Sequence, residues 1–110
     1  MPNSGDVIIV DFPGAQGVKR RPAVVLSTAV YHANRPDVLI SLLTSNIVAA
    51  TTPTDYVLQD WSAAGLKQPS AFRSYLATID QRDILATAGQ LTAKDWQAVQ
   101  ARLNIALAVK

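Results

Sequence analysis

The stretch GDVIIVDFPG at residues 5–14 sets a run of β-branched side chains between turn-forming residues. Valine, isoleucine and phenylalanine favour extended backbone, whereas glycine and proline end it. The pattern predicts a buried strand over residues 6–12, followed by a glycine-containing loop over residues 13–20. The run PAVVLS at residues 22–27 predicts the next strand, with its proline tolerated at the strand start. The chain therefore begins as β structure.

The middle of the chain predicts a series of short elements. A polar connection over residues 32–36 precedes DVLISLLT, which predicts a third strand over residues 37–44. The other predicted elements are a strand over 54–59, a turn over 60–65 that ends at glycine, and short extended pieces over 70–73 and 75–79.

The C-terminal segment changes to a helical period. Thr92 and Asp95 form a T-x-x-D variant of the capping box, and Leu91 stands where a hydrophobic staple begins. Apolar residues then follow at three- and four-residue spacing, at Trp96, Val99, Leu103 and Leu107. The sequence therefore predicts an α+β, mainly β domain over residues 1–110, with five or six short strands followed by one helix that packs on the sheet.

Composition excludes several classes of protein. The chain has 110 residues, 49% of them apolar and 16% charged, which is typical of one compact domain. With no cysteine and one histidine, it lacks the side chains for a disulfide framework, a thiolate nucleophile or a typical zinc site, so we expect no metal and no cofactor. It has neither a membrane-length apolar run nor the basic start of a secretory signal, so we expect a cytoplasmic protein.

Positive charge is concentrated before the second predicted strand. The net charge is +2, and Lys19, Arg20 and Arg21 are consecutive. A guanidinium donates paired hydrogen bonds to two phosphate oxygens and stays charged at any working pH. Arg21 and Arg73, both near predicted strand ends, are therefore candidates for binding a phosphate, and Thr44 offers a hydroxyl donor to the same anion.

Each candidate also has a structural interpretation. A basic run is typical of a solvated loop. Arg73 has possible ion-pair partners in Asp80 and Asp83, and the Thr44 hydroxyl is suited to satisfying a backbone carbonyl at a strand end. His32, in the polar connection, is predicted to be exposed and to have no catalytic role.

A series of motifs runs along the chain from residue 5 to about residue 107. GDVIIVDF at residues 5–12 and RRPAVVLS at residues 20–27 come first. They are followed by ISLLTS (40–45), PT (53–54), GLKQPSAFR (65–73), TID (78–80) and GQLT (89–92). In this order the motifs resemble those of the PemK/MazF family of toxin–antitoxin ribonucleases.

The resemblance implies a fold and an activity. The fold is an SH3-like barrel, shared with CcdB-like toxins, of five to seven short strands with a C-terminal helix. The implied protein is the homodimeric toxin of a type II toxin–antitoxin system, held inactive by a cognate antitoxin protein. It is a metal-independent, sequence-specific endoribonuclease of single-stranded RNA. Attack by the RNA 2′-hydroxyl leaves a 2′,3′-cyclic phosphate and a 5′-hydroxyl.

The resemblance also assigns site residues. The catalytic residues it implies are Arg21, Thr44 and Arg73. The RNA-binding residues it implies are Gln16, Lys19, Arg20, Ser45, Asn46 and Ser70. The chain departs from the family at Tyr75, where many members carry an acidic residue, and no glutamate precedes Arg21. These departures put a carboxylate base at either place in doubt.

Two alternatives belong to other functional classes. Toxins with the same barrel bind DNA gyrase and catalyse nothing, and a degenerate member of the family would bind RNA or antitoxin without cleaving RNA. The R-P motif at residues 21–22 and the T-S motif at residues 44–45 favour the ribonuclease. Tyr75 in place of an acid favours the degenerate binding domain.

Overall fold

The structure of the protein, a computed structural model, describes residues 2–14 and 17–109. The strands are β1 (Asp6–Gly14), β2 (Gly17–Val25), β3 (Asp37–Thr44), β4 (Tyr56–Val57), β5 (Ala71–Asp80) and β6 (Ile84–Gln90). The helices are α1 (Ala29–Asn34) and α2 (Ala93–Ala106), and the 3₁₀ turns are Ile47–Ala49 and Gln81–Asp83. The predicted fold class, mainly β with a C-terminal helix, is confirmed.

The first two strands form one long antiparallel pair that includes residues 13–14 and 17–20, so the loop predicted there is wrong, and residues 15–16 of that predicted loop lie outside the described residues. Cα pairing continues from Val7 opposite Val24 to Gly14 opposite Gly17. Gly17 has a φ of +98°, which glycine adopts without the strain that a side chain would cause. The basic residues before Pro22 are therefore held on β2 by backbone pairing with β1, not carried by a loop.

The later strands differ from the sequence prediction in three ways. Predicted strand 54–59 is reduced to β4, and the pieces predicted at 70–73 and 75–79 are one strand, β5, with an irregularity opposite β3. Strand β6 was not predicted, because the small residues of ILATAGQ have weak β propensity and owe their conformation to pairing with β1. The predicted bounds of β3 are confirmed.

The polar connection after β2 contains a helix that the sequence did not predict. Thr28 caps α1 by accepting a hydrogen bond from the Tyr31 N–H. His32 lies in this helix and is buried, with its Nε2 2.6 Å from the Ser27 hydroxyl oxygen, so the prediction of an exposed loop histidine is wrong. A helix of six residues is too short for its apolar pattern to stand out in the sequence.

The six strands form a single antiparallel sheet with the order β4-β5-β3-β2-β1-β6. One apolar face of the sheet packs against α2 through Trp96 and Val99, as predicted, whereas Leu107 lies beyond the helix end and is exposed. The other face holds a second cluster made, among the described residues, of strand side chains alone: Ile8, Val10, Ala23, Val25, Val38 and Ile40, flanked by Leu42, Ala77, Ile79 and Ile84. Because the described helices contribute no side chain to this cluster, the strands themselves enclose it, as in a barrel.

The start of α2 joins the helix to the segment after β4. Thr92 accepts a hydrogen bond from the Asp95 N–H, which confirms half of the predicted capping box. The Asp95 carboxylate does not complete it but accepts hydrogen bonds from the Tyr56 hydroxyl and from the N–H groups of Gln59 and Asp60. Burial and the bond to Asp95 raise the pKa of Tyr56 to about 12. No helix in the described part of the chain is long and apolar enough to cross a membrane.

Candidate functional site

The three predicted catalytic residues come from neighbouring strands. Arg21 lies on β2, Thr44 ends β3 and Arg73 lies near the start of β5. Ala23 pairs with Leu42, and Arg21 and Thr44 each lie two residues beyond this last pair of β2 with β3, at the same end of the two strands. On the other side of β3, Thr44 pairs with Ala71, two residues before Arg73. The strand order thus brings together residues that are far apart in the sequence.

These side chains line a cleft with a volume of about 250 Å³, which we call the arginine cleft. Its lining consists of Phe12, Pro13, Arg21, Leu42, Leu43, Thr44, Arg73 and Tyr75. Arg21 and Thr44 also line an adjoining depression of about 810 Å³, which we call the side groove. Arg20, Ser45, Ser70 and the chain from Gly65 to Gln68 form much of its wall. The charged side chains in both linings, among the described residues, are cationic.

A close approach between two backbones fixes the wall of the side groove. A Cβ added at Gly65, whose φ is +86°, would lie 2.1 Å from the Ala88 carbonyl oxygen. A Cβ added at Gly89 would lie 2.4 Å from the Ala64 carbonyl oxygen. Only glycine fits at either position, so the turn before residues 65–70 packs directly on β6.

Arg21 and Thr44 both have hydrogen-bonding capacity to spare. Within the described residues, no acidic side chain forms an ion pair with Arg21, which is partly buried. The Thr44 hydroxyl oxygen accepts a hydrogen bond from the Asn46 N–H at 3.1 Å, so its proton can be donated to a ligand. This contact differs from the backbone-carbonyl contact considered from the sequence. The two side chains therefore present donors to the same cleft.

Arg73 is held by a carboxylate that the sequence did not single out. Its Nε lies 3.5 Å from the Asp55 carboxylate, whereas Asp80 pairs with Arg82, so the ion-pair partner of Arg73 is neither of the two aspartates considered from the sequence. The Asp55 side chain is 2% exposed. Burial opposes its ionisation, but the hydrogen bonds from Thr52 and the charge of Arg73 outweigh burial and lower the pKa of Asp55. Asp55 thus fixes one side of the Arg73 guanidinium.

The pairing of Arg73 with Asp55 predicts a pH dependence of stability. At neutral pH the Asp55→Asn variant is expected to be about 1–3 kcal/mol less stable than the wild type, because two donors lose a charged acceptor. The pKa of Asp55 in the folded protein lies below its unfolded value of about 3.9, so its contribution is present above that value and is lost as the pH falls further. Urea denaturation at several pH values should show the difference between the two proteins shrinking below about pH 4. A difference that does not change with pH would contradict an ionised pair.

The predicted RNA-binding residues occupy different environments. Lys19 and Arg20 are exposed on β2, where Arg20 lies 3.5 Å from the Asp11 carboxylate. Ser45 is exposed and lines the side groove, and Asn46 is exposed beside it. Ser70 is only 2% exposed and its hydroxyl donates to the Gln68 carbonyl oxygen. Gln16 lies outside the described residues.

The fold and the cleft define a small β-rich protein with a cationic cleft lined by neighbouring strands of its sheet. The sequence matches the family described as "PemK-like, MazF-like toxin of type II toxin-antitoxin system" over residues 3–107. The chain therefore belongs to this family of toxins. No curated protein sequence matches it significantly.

Solved structures of toxins share the fold. An endoribonuclease in complex with its cognate antitoxin from a mycobacterial species superposes with a TM-score of 0.79 at 18% identity, covering 100% of this chain and 98% of that chain. The Mycobacterium tuberculosis toxin MazF-mt6 gives 0.77 at 21% identity, with 96% and 98% covered. A MazE–MazF structure from Deinococcus radiodurans gives 0.78 at 23% identity, with 99% and 98% covered.

Proposed function

We propose that this toxin is a metal-independent, sequence-specific endoribonuclease that cleaves single-stranded RNA. The observation that carries the proposal is the meeting of Arg21, Arg73 and the Thr44 hydroxyl in one cleft. Two guanidiniums and a hydroxyl suit the dianionic, pentacoordinate phosphorus of phosphoryl transfer, because their donors are in place before charge develops. RNA carries its own nucleophile, so such a site needs to supply alignment and charge stabilisation above all.

In the proposed reaction, the 2′-hydroxyl oxygen attacks the adjacent phosphorus and the bond from phosphorus to the 5′-oxygen breaks. The 2′-hydroxyl loses its proton and the leaving 5′-oxygen gains one, which gives a 2′,3′-cyclic phosphate and a 5′-hydroxyl. Arg21 polarises the phosphate and assists the proton transfer, while Thr44 donates a hydrogen bond to a non-bridging oxygen. Arg73, oriented by Asp55, stabilises the charge on the leaving oxygen.

The substrate and partners follow from the same chemistry. A flexible single strand can reach the geometry for in-line attack, and its unstacked bases are open to recognition. We further propose that the toxin acts in the cytoplasm as a homodimer and is inhibited by a cognate antitoxin. The solved mycobacterial relative in complex with its antitoxin supports this last point.

The test is cleavage of a defined single-stranded RNA by the purified protein in EDTA. We expect product fragments with 5′-hydroxyl and 2′,3′-cyclic phosphate ends, mapped by sequencing the 5′ ends. An RNA with 2′-deoxyribose at the mapped position is the matched control and should stay intact. Failure to cleave any RNA, together with inhibition of gyrase supercoiling in a parallel assay, would replace the proposal with the gyrase-binding alternative.

Lys19 and Arg20 are expected to contribute attraction to phosphates without reading sequence, because both are exposed and neither is enclosed by the arginine cleft. Replacing both with alanine should weaken RNA binding at every sequence. It should also lower the slope of log affinity against log salt by about 0.7 per contact, or about 1.4 in total. Titrations at several salt concentrations measure this slope. The control is the double variant Arg35→Ala with Arg82→Ala, which removes two exposed charges outside the arginine cleft and the side groove. An equal decrease of the slope in this control would contradict a local role of Lys19 and Arg20.

A further inference from the structure

An aromatic pair stands beside the guanidiniums in the arginine cleft. Tyr75 and Phe12 both line the cleft, and their ring centroids are 6.3 Å apart with the ring planes at 88°. Tyr75 is nevertheless 59% exposed. A large aromatic side chain gains most from burial, so one that is supported by another ring and still open to solvent is suited to binding a ligand.

The backbone beside Tyr75 is irregular. Between the pairs Leu43–Phe72 and Ser41–Leu76, three residues of β5 face one residue of β3. Within this bulge Ser74 has a φ of 56°, a left-handed conformation that residues other than glycine rarely adopt. The Ser74 hydroxyl donates to the Thr54 carbonyl oxygen at 2.8 Å and helps to hold the bulge. Bulges and strained residues of this kind often aim side chains at a functional site.

The neighbours of Tyr75 suit one class of ligand. Its ring shares the cleft with Arg21 and Arg73, which suit phosphate, and a group that carries a phosphate and a flat π face together is a nucleotide. Aromatic side chains bind unpaired bases by stacking, and every base offers a π face. A peptide partner could pack on the ring, but it would need separate acidic side chains to pair with the two guanidiniums.

We infer that Tyr75, supported by Phe12, is a stacking platform for the nucleobase next to the phosphate that Arg21, Thr44 and Arg73 bind. The inference rests on the proposed ribonuclease function and adds a base-binding subsite to it. Tyr75 therefore fixes where the RNA lies in the cleft. Because stacking is stronger for larger π surfaces, the platform favours purines at that position without requiring one.

The test measures binding of an uncleavable RNA, with 2′-O-methyl groups that remove the nucleophile, by fluorescence anisotropy. Tyr75→Ala is expected to weaken binding by about 5- to 150-fold, the range for loss of one base–aromatic stack, and Tyr75→Phe by no more than about twofold. Val30→Ala is the control, because Val30 is 74% exposed on α1 and lines neither cleft. Circular dichroism checks that each variant is folded.

A second arm locates the base. A series of RNAs carries one abasic residue each, and at one position next to the scissile phosphate the wild type should lose about as much affinity as Tyr75→Ala loses on intact RNA. On that same abasic RNA, Tyr75→Ala should show little further loss. If the affinity losses caused by Tyr75→Ala and by the abasic residue are independent and multiply, the stacking platform is overturned. Wild-type affinity of Tyr75→Ala for the intact RNA would overturn it as well.

The outcomes separate the two proposals. If the wild type cleaves RNA but no abasic position depends on Tyr75, the stacking platform fails and the ribonuclease stands. If the wild type binds RNA with the expected Tyr75 dependence but leaves unmodified RNA intact, the ribonuclease fails and the base-binding subsite stands. A wild type that neither binds the uncleavable RNA nor cleaves unmodified RNA overturns both.

Discussion

The Arg21→Ala variant is expected to cleave RNA about 100- to 1,000-fold more slowly than the wild type, the usual cost of removing one preorganised donor to a transition-state anion. Folding should be unaffected. Arg21 is only partly buried and, among the described residues, forms no ion pair whose loss would leave an unpaired carboxylate. Single-turnover cleavage of a labelled RNA measures the chemical step, and thermal unfolding checks the fold.

Two further variants make the Arg21 result specific. Arg21→Lys should also be slow, because a single ammonium group does not reproduce the planar pair of guanidinium donors. Arg82→Ala removes an equally charged but fully separate side chain, exposed in the 3₁₀ turn after β5, and should cleave at the wild-type rate. Near-wild-type cleavage by Arg21→Ala would place the catalytic donors elsewhere in the protein.

Features set by local sequence were predictable. The largely apolar run at residues 37–44 predicted the bounds of β3, and the Thr92 cap with the apolar spacing after it predicted the start of α2. Arg21, Thr44 and Arg73 were chosen as side chains suited to phosphate and by resemblance to the toxin family. The structure brings them into one cleft because their strands are neighbours in the sheet.

Features set by contacts between distant residues were not predictable. Strand β6 depends on β1, which is far away in sequence, and the extension of β1 over residues 13–14 and of β2 over residues 17–20 depends on their pairing with each other. The carboxylates of Asp55 and Asp95 bond to groups 18 and up to 39 residues away, respectively. No spacing rule marks such pairs in a single sequence, because the register of distant segments is a property of the fold.

The two buried carboxylates, those of Asp55 and Asp95, support different parts of the site. Asp55 bonds to Arg73, so it acts on the arginine cleft directly. Asp95 acts indirectly, because its carboxylate joins the start of α2 to the backbone N–H groups of Gln59 and Asp60. From there the chain continues through the turn to the wall of the side groove at residues 65–70. The arginine cleft is thus supported by the ion pair of Asp55, and the side groove by the buried hydrogen bonds of Asp95.

The Asp95→Ala variant is expected to lose about 3–5 kcal/mol of unfolding free energy, because the Tyr56 hydroxyl and two backbone N–H groups lose their charged acceptor in a buried place. That is a large part of the roughly 5–15 kcal/mol that stabilises a typical domain. Urea denaturation measures the loss. Tyr56→Phe removes one of the three donors and should cost only about 1–2 kcal/mol, whereas Asp95→Asn, which keeps one acceptor oxygen, should fall between these variants. A loss below about 1 kcal/mol in Asp95→Ala would show that water replaces the carboxylate and that Asp95 does not hold the groove wall in place.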